Sequence, residues 1–173
     1  MNIEIERKFL VKNDDFKKES VQKTRLIQGY LSSVPKRTVR IRIKGNTGFL
    51  TIKGLGDKSG LSRYEWEREI PYSDAKQLLK ICEKGEIDKY RYIVKFGNHA
   101  FEVDEYLGDN SGLVIAEIEL SHEDEMFAKP DWLGREVTGI KKYYNSMLLK
   151  KPSQVFLAGE RKSFTHQPKP TAN

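Results

Sequence analysis
A single cysteine, Cys82, in 173 residues leaves no internal disulfide framework and fits a reducing, cytoplasmic compartment. Three histidines, His99, His122 and His166, stand at no metal-ligand spacing, so no zinc site is expected. No apolar run is long enough to span a membrane, and Glu4 and Glu6 interrupt the place where a signal peptide would need hydrophobic residues. Gly54, Gly56 and Gly60 are not followed by the Gly-Lys-Ser/Thr ending of a phosphate-binding loop, so a hairpin loop is expected there. No Ser/His/Asp grouping supports acyl transfer. Apolar residues, at 38%, lie at the low edge of the globular range even with 13 glycines added. Charge, in contrast, is plentiful: 32% of residues, with a net +6 that favours anionic partners of any kind.

That charge is patterned with a period of two. Glu4, Glu6 and Lys8 alternate with Ile3, Ile5 and Phe9, so in a strand the ionic groups share one face. Arg40 and Arg42 alternate with Val39, Ile41 and Ile43, and Thr51 and Lys53 with Leu50 and Ile52. Glu65, Glu67 and Glu69 alternate with Tyr64, Trp66 and Arg68. Lys89 and Arg91 follow the same rule against Tyr90, Tyr92 and Val94, as do Glu102 and Asp104, and Glu117 and Glu119. With residues 24–31 this makes about eight strands.

An ordinary sheet with one solvated face also alternates. Here, however, the charges are grouped by sign, about 7 Å apart along each strand. Like charges at that distance repel by about 2 kcal/mol at an effective dielectric near 20. A solvated face has no use for that repulsion, whereas a binding site does. Eight antiparallel strands can close into a barrel, leaving the ionic face inside and the apolar face outside. Six lumen cations, Lys8, Arg40, Arg42, Lys53, Lys89 and Arg91, suit a chain of phosphates, because guanidinium forks match phosphate oxygens. Carboxylates beside them suit Mg2+ or Mn2+, hard cations that bridge to phosphate. Glu4, Glu6, Glu117 and Glu119 are read as metal ligands, and Glu69 and Glu102 as salt-bridge partners near strand ends.

The run Glu4-Ile5-Glu6-Arg7-Lys8-Phe9 resembles the ExExK signature of the CYTH superfamily, the triphosphate tunnel metalloenzymes. The resemblance continues in order through Arg40-x-Arg42, Lys53, Glu65-x-Glu67, Lys89-x-Arg91, Asp104 and Glu117-x-Glu119, over roughly residues 1–150. It implies an α+β, mainly β protein, an eight-stranded antiparallel tunnel with helices packed outside, often dimeric. It also implies divalent-metal chemistry on a small triphosphate-bearing molecule. On that basis Lys8, Arg40, Arg42, Lys53, Lys89 and Arg91 bind phosphates. Glu4, Glu6, Asp104, Glu117 and Glu119 hold metal, and Lys8, Glu65, Glu67 and Lys89 form the catalytic group. Lys8 fits a phosphate clamp better than a proton-transfer base.

Residues 1–151 read as one domain and residues 152–173 as a basic tail in which Val155, Phe156 and Leu157 can dock. Helices are expected after the first strand (residues 14–20), from a Ser73-Asp74 cap to Glu83, from Ser121 to before Pro130, and over residues 141–149. Cys82 is placed in the second of these as a buried residue. The stretch from Gly134 to Asn145, with Lys141 and Tyr143, resembles the family's tunnel-closing helix. Hydrolysis of inorganic tripolyphosphate is the expected activity, with adenylate cyclase or thiamine triphosphatase as alternatives. A non-catalytic polyanion binder is the competing class. Little in the chain reads bases, so nucleic acid is not the expected partner.

Overall fold
The period-2 segments form strands at the expected places. In the computed structural model, which describes residues 2–153, these are β1 (Ile3–Val11), β2 (Gln22–Ser32), β3 (Arg37–Lys44), β4 (Thr47–Gly54), β5 (Ser62–Ile70), β6 (Ile87–Phe96), β7 (His99–Tyr106) and β8 (Val114–Glu119). Their order is β5-β4-β3-β2-β6-β7-β8-β1, all antiparallel, and β1 returns to β5 to close the barrel. Two-residue hairpins join β3 to β4 and β6 to β7; each has glycine first, Gly45 or Gly97, at the positive φ such a tight loop requires.

The seam is short. β1 pairs with β5 only through Ile3, Glu4 and Ile5. Beyond it, the backbone of Lys8 bonds to Thr138 and Val137, and a ninth strand, β9 (Leu133–Glu136), takes over the free edge of β1. That strand was not expected.

Two apolar masses hold the barrel. One lies outside it, where Phe9, Tyr92, Val94, Phe101, Val103, Ala116 and Ile118 meet Phe16 of α1 (Phe16–Glu19) and Trp132. The other plugs one end: Ile87, Tyr106, Leu113 and Ile115 meet Val137, Tyr143 and Leu148. A second helix, α2 (Tyr72–Lys80), covers β2, β3 and β4, and its Ala75 comes so close to Gly48 that a Cβ there would sit 2.6 Å from it.

Several local expectations need correction. α2 begins at Tyr72 behind Pro71, whose carbonyl takes the Asp74 and Ala75 amides, so Ser73 is not its cap. The helix ends at Lys80, leaving Cys82 beyond it and half-buried, its thiol donating to the Leu78 carbonyl. No helix forms from Ser121 to Pro130. The Ser121 amide is taken by the Glu125 carboxylate, which also meets His99, and Phe127 is drawn onto Phe9 and Phe101. The last helix, α3 (Asn145–Lys150), is shorter than expected because a 3-10 turn occupies Lys141–Tyr143. The chain is anchored as far as Ser153, whose amide donates to Asn110; Val155, Phe156 and Leu157 lie outside the described residues.

Candidate active site
Register decides which charges meet. Antiparallel pairing sets Glu6 opposite Glu119, Lys8 opposite Glu117, Glu102 opposite Glu117, Arg91 opposite Asp104, Lys53 opposite Glu65 and Thr51 opposite Glu67. Apart from Asp104 and Thr51, these side chains line a cavity of about 640 Å3. Every expected site residue except Lys89 and Asp104 lines it. Tyr92 and Trp66 lie on strand faces turned away from it, while Tyr30 is in the wall.

Charge pairing differs with depth. At the plugged end, Asp104 is fully buried, accepting from Lys89 Nζ at 2.6 Å and from Arg91 Nε and Nη2 at 2.7 and 2.8 Å. Burial alone would raise the Asp104 carboxyl, but Arg91 and Lys89 outweigh it and hold the pKa down to about 2. Burial pushes the Lys89 ammonium down to about 7 against the pull of Asp104. Asn145, at the start of α3, accepts from Lys89 Nζ at 3.3 Å and from the Tyr106 hydroxyl at 2.7 Å. Asp104 therefore stands behind the cavity wall with its oxygens taken by cations, in contrast to its expected place among metal ligands.

Nearer the middle, Lys8 Nζ lies 3.3 Å from Glu117 and 3.4 Å from Glu6. Burial opposes charge on Lys8, yet these two carboxylates raise its pKa, so it stays a cation and suits a clamp rather than a base. Lys53 Nζ bridges Glu4 at 3.0 Å and Glu65 at 2.9 Å. Arg40 reaches Thr51 at 3.1 Å and Glu67 at 3.3 Å, and its Nε is buried with no hydrogen-bond partner. Arg42 donates to the neutral Gln28 amide at 3.0 Å, and burial with Arg40 and Arg91 nearby lowers its pKa to about 10. These two guanidiniums leave donor capacity unspent, which is what an arriving anion needs.

The acids crowd elsewhere. Burial, then Glu117, raises the Glu6 carboxyl, with Lys8 opposing; burial and several glutamates, Glu4 first, raise Glu119. Among the described residues no ready-made cluster of three acidic, histidine or cysteine side chains stands at metal-holding geometry. The donor chemistry nevertheless fits a hard divalent ion: only carboxylate oxygens, from Glu4, Glu6, Glu117 and Glu119, with carboxylate repulsion already raising Glu6 and Glu119. Sequence reasoning missed Arg63, which lines the cavity and contacts Glu4 at 3.3 Å. It shares strand parity with Glu65 and Glu67, a signal that was present. Tyr144, whose ring lies 5.5 Å from Lys8 Nζ, gives no comparable signal.

A closed antiparallel barrel carrying phosphate-type cations and hard-ligand carboxylates in one blind lumen belongs to the class of triphosphate tunnels. Residues 2–151 match the CYTH domain family, and the chain belongs to it. Membership implies dependence on a divalent metal. The chain is 48% identical over 158 residues to an inorganic triphosphatase of Acetivibrio thermocellus, covering 90% of this chain and 99% of that protein. It is 37% identical over 150 residues to an inorganic triphosphatase of Nitrosomonas europaea, covering 84% and 95%. A solved structure of an inorganic triphosphatase superposes with a TM-score of 0.60 at 34% identity, covering 84% of this chain and 96% of that one. No helix among the described residues is long and apolar enough to cross a membrane.

Proposed function
We propose that this protein hydrolyses inorganic tripolyphosphate to pyrophosphate and phosphate in the cytoplasm, with Mg2+ or Mn2+. The observation that carries this reading is the pair Arg40 and Arg42. Both are lumen guanidiniums with unspent donors, set in a cavity whose one end is stopped by apolar residues. A short, dense polyanion satisfies them, whereas a base finds little to stack on. The Tyr144 ring faces Lys8, His99 is bonded to Glu125, and Tyr30 is sunk in the wall.

Arg40, Arg42, Lys53, Lys8 and Arg91 hold the phosphate oxygens and neutralise charge as the transferred group loosens from its neighbour. Lys89 acts from one layer behind: through Asp104 it fixes the Arg91 fork in place. Glu4, Glu6, Glu117 and Glu119 are the residues that would hold the divalent ion, which when bound polarises phosphate oxygens and offsets their charge. Glu65 faces burial that favours its neutral form, but Lys53 outweighs it and keeps the carboxylate ionised. With Glu67, it accepts hydrogen bonds from the attacking water and orients it toward phosphorus.

A panel of tripolyphosphate, ATP and thiamine triphosphate, each with Mg2+ and with Mn2+, tests the reading. Phosphate release from tripolyphosphate far faster than from either organic triphosphate, with no cyclic AMP, is the expected result. Cyclic AMP from ATP would make it a cyclase. Metal-independent, salt-sensitive anion binding with no phosphate released would make it a binding module.

A further inference from the structure
The lumen cations differ in how firmly they are held. Lys8 and Lys53 are buried, and each bridges two carboxylates. Arg91 grips Asp104 with a two-pronged fork. Arg63 does neither. It stands on β5 at the barrel seam, opposite Glu4 in register, with 28% of its side chain exposed. Its Nε lies 3.3 Å from Glu4 Oε2 and its Nη2 4.0 Å from Glu6 Oε1, so the guanidinium spans two acids without a fitted fork to either. Where this chain does pair arginine two-pronged, as Arg7 with Glu136, the distances are 2.8 and 2.6 Å.

The two acids that Arg63 spans are the ExE carboxylates assigned to the metal. Glu6 stands opposite Glu119 across the β1–β8 pairing, so acid faces acid there and a lost counter-charge invites another. A guanidinium and a divalent ion cannot both neutralise the same pair, and the long, part-exposed, loosely bonded Arg63 side chain is the one with room to leave. We propose that Arg63 is the exchangeable counter-ion of Glu4 and Glu6, held beside the firmer Lys53 and Lys8 contacts and displaced when a divalent cation binds the pair, so that Arg63 competes with the metal. The inference rests on Glu4 and Glu6 being metal ligands.

Mn2+ binding to the full chain without any phosphate substrate, measured by calorimetry, separates the two ideas. Glu4→Gln weakens Mn2+ binding; wild-type affinity in that variant would remove the premise. Arg63→Gln tightens Mn2+ binding about fivefold, the scale of a part-exposed ion pair, and Arg63→Lys stays near the wild type. Unchanged or weaker binding in Arg63→Gln, with Glu4→Gln behaving as expected, overturns the competition alone. A second measurement needs no variant. Arginine-selective dicarbonyl modification of Arg63 in the wild-type protein, followed by peptide mass, becomes faster when Mn2+ is added. An unchanged or slower rate contradicts displacement.

Discussion
Asp104 and Glu4 are both acids turned toward the inside of one barrel, and both sit beside cations. Asp104 has no exposure and takes three short charged hydrogen bonds from Lys89 and Arg91. Glu4 is part-exposed and takes longer contacts from Lys53 and Arg63, each at 3.0 Å or more. The difference follows from depth. At the plugged end water is excluded by Ile87, Tyr106, Ile115 and Leu148, so any charge there must be paired completely or it cannot remain. Toward the open end, solvent shares the load, and pairs can stay loose enough to be exchanged for a ligand. Structure and function therefore use the same residue types at different levels of one lumen.

The sharpest way to break this comparison is to remove the deep acid. Asp104→Ala leaves Lys89 buried without its counter-charge and Arg91 with Glu102 alone, and costs about 3–5 kcal/mol of stability, read by urea unfolding. The pH dependence has a definite sign. The Asp104 pKa falls from 3.8 to about 2 on folding, so its stabilisation is fully present above pH 3.8 and lost as pH falls through about 2. The wild type should shed that increment over this acid window, and Asp104→Ala should lack it. Equal stability of the two proteins would mean that the deep pair is not structural.

Next in size is the plug. Leu148→Ala opens a cavity in the apolar end and lowers stability by about 3 kcal/mol, seen as a fall in Tm, without altering the preference among phosphate substrates. A changed substrate preference would show that the plug takes part in recognition.

How far the sequence was legible follows the same division. Period-2 alternation tells which face a side chain shares, and so placed Glu4, Glu6, Lys8, Arg40, Arg42, Lys53, Glu65, Glu67, Arg91, Glu117 and Glu119 on the cavity wall. It does not tell how deep along the barrel a residue lies, so Lys89 and Asp104 were expected at the wall and stand behind it. Arg63 keeps the same parity as Glu65 but stands second in its strand, where too few residues precede it for alternation to show. Residues 121–129 carry a helix-cap pattern that tertiary contacts override, since His99 claims Glu125 and Phe101 claims Phe127. β9 is four residues with a glycine inside, too short to alternate visibly.

Arg42 provides the most direct test of the central claim, that unspent cations in the lumen hold the phosphate chain. Burial and its cationic neighbours lower its pKa, so its charge is disfavoured in the fold, and Arg42→Met should not lower Tm. Calorimetric titration of tripolyphosphate into metal-free wild type and Arg42→Met then isolates binding. The account predicts about 10- to 100-fold weaker binding in the variant, the loss of one charged hydrogen-bonding group worth about 1.5–3 kcal/mol. Equal affinity in the two folded proteins would contradict it.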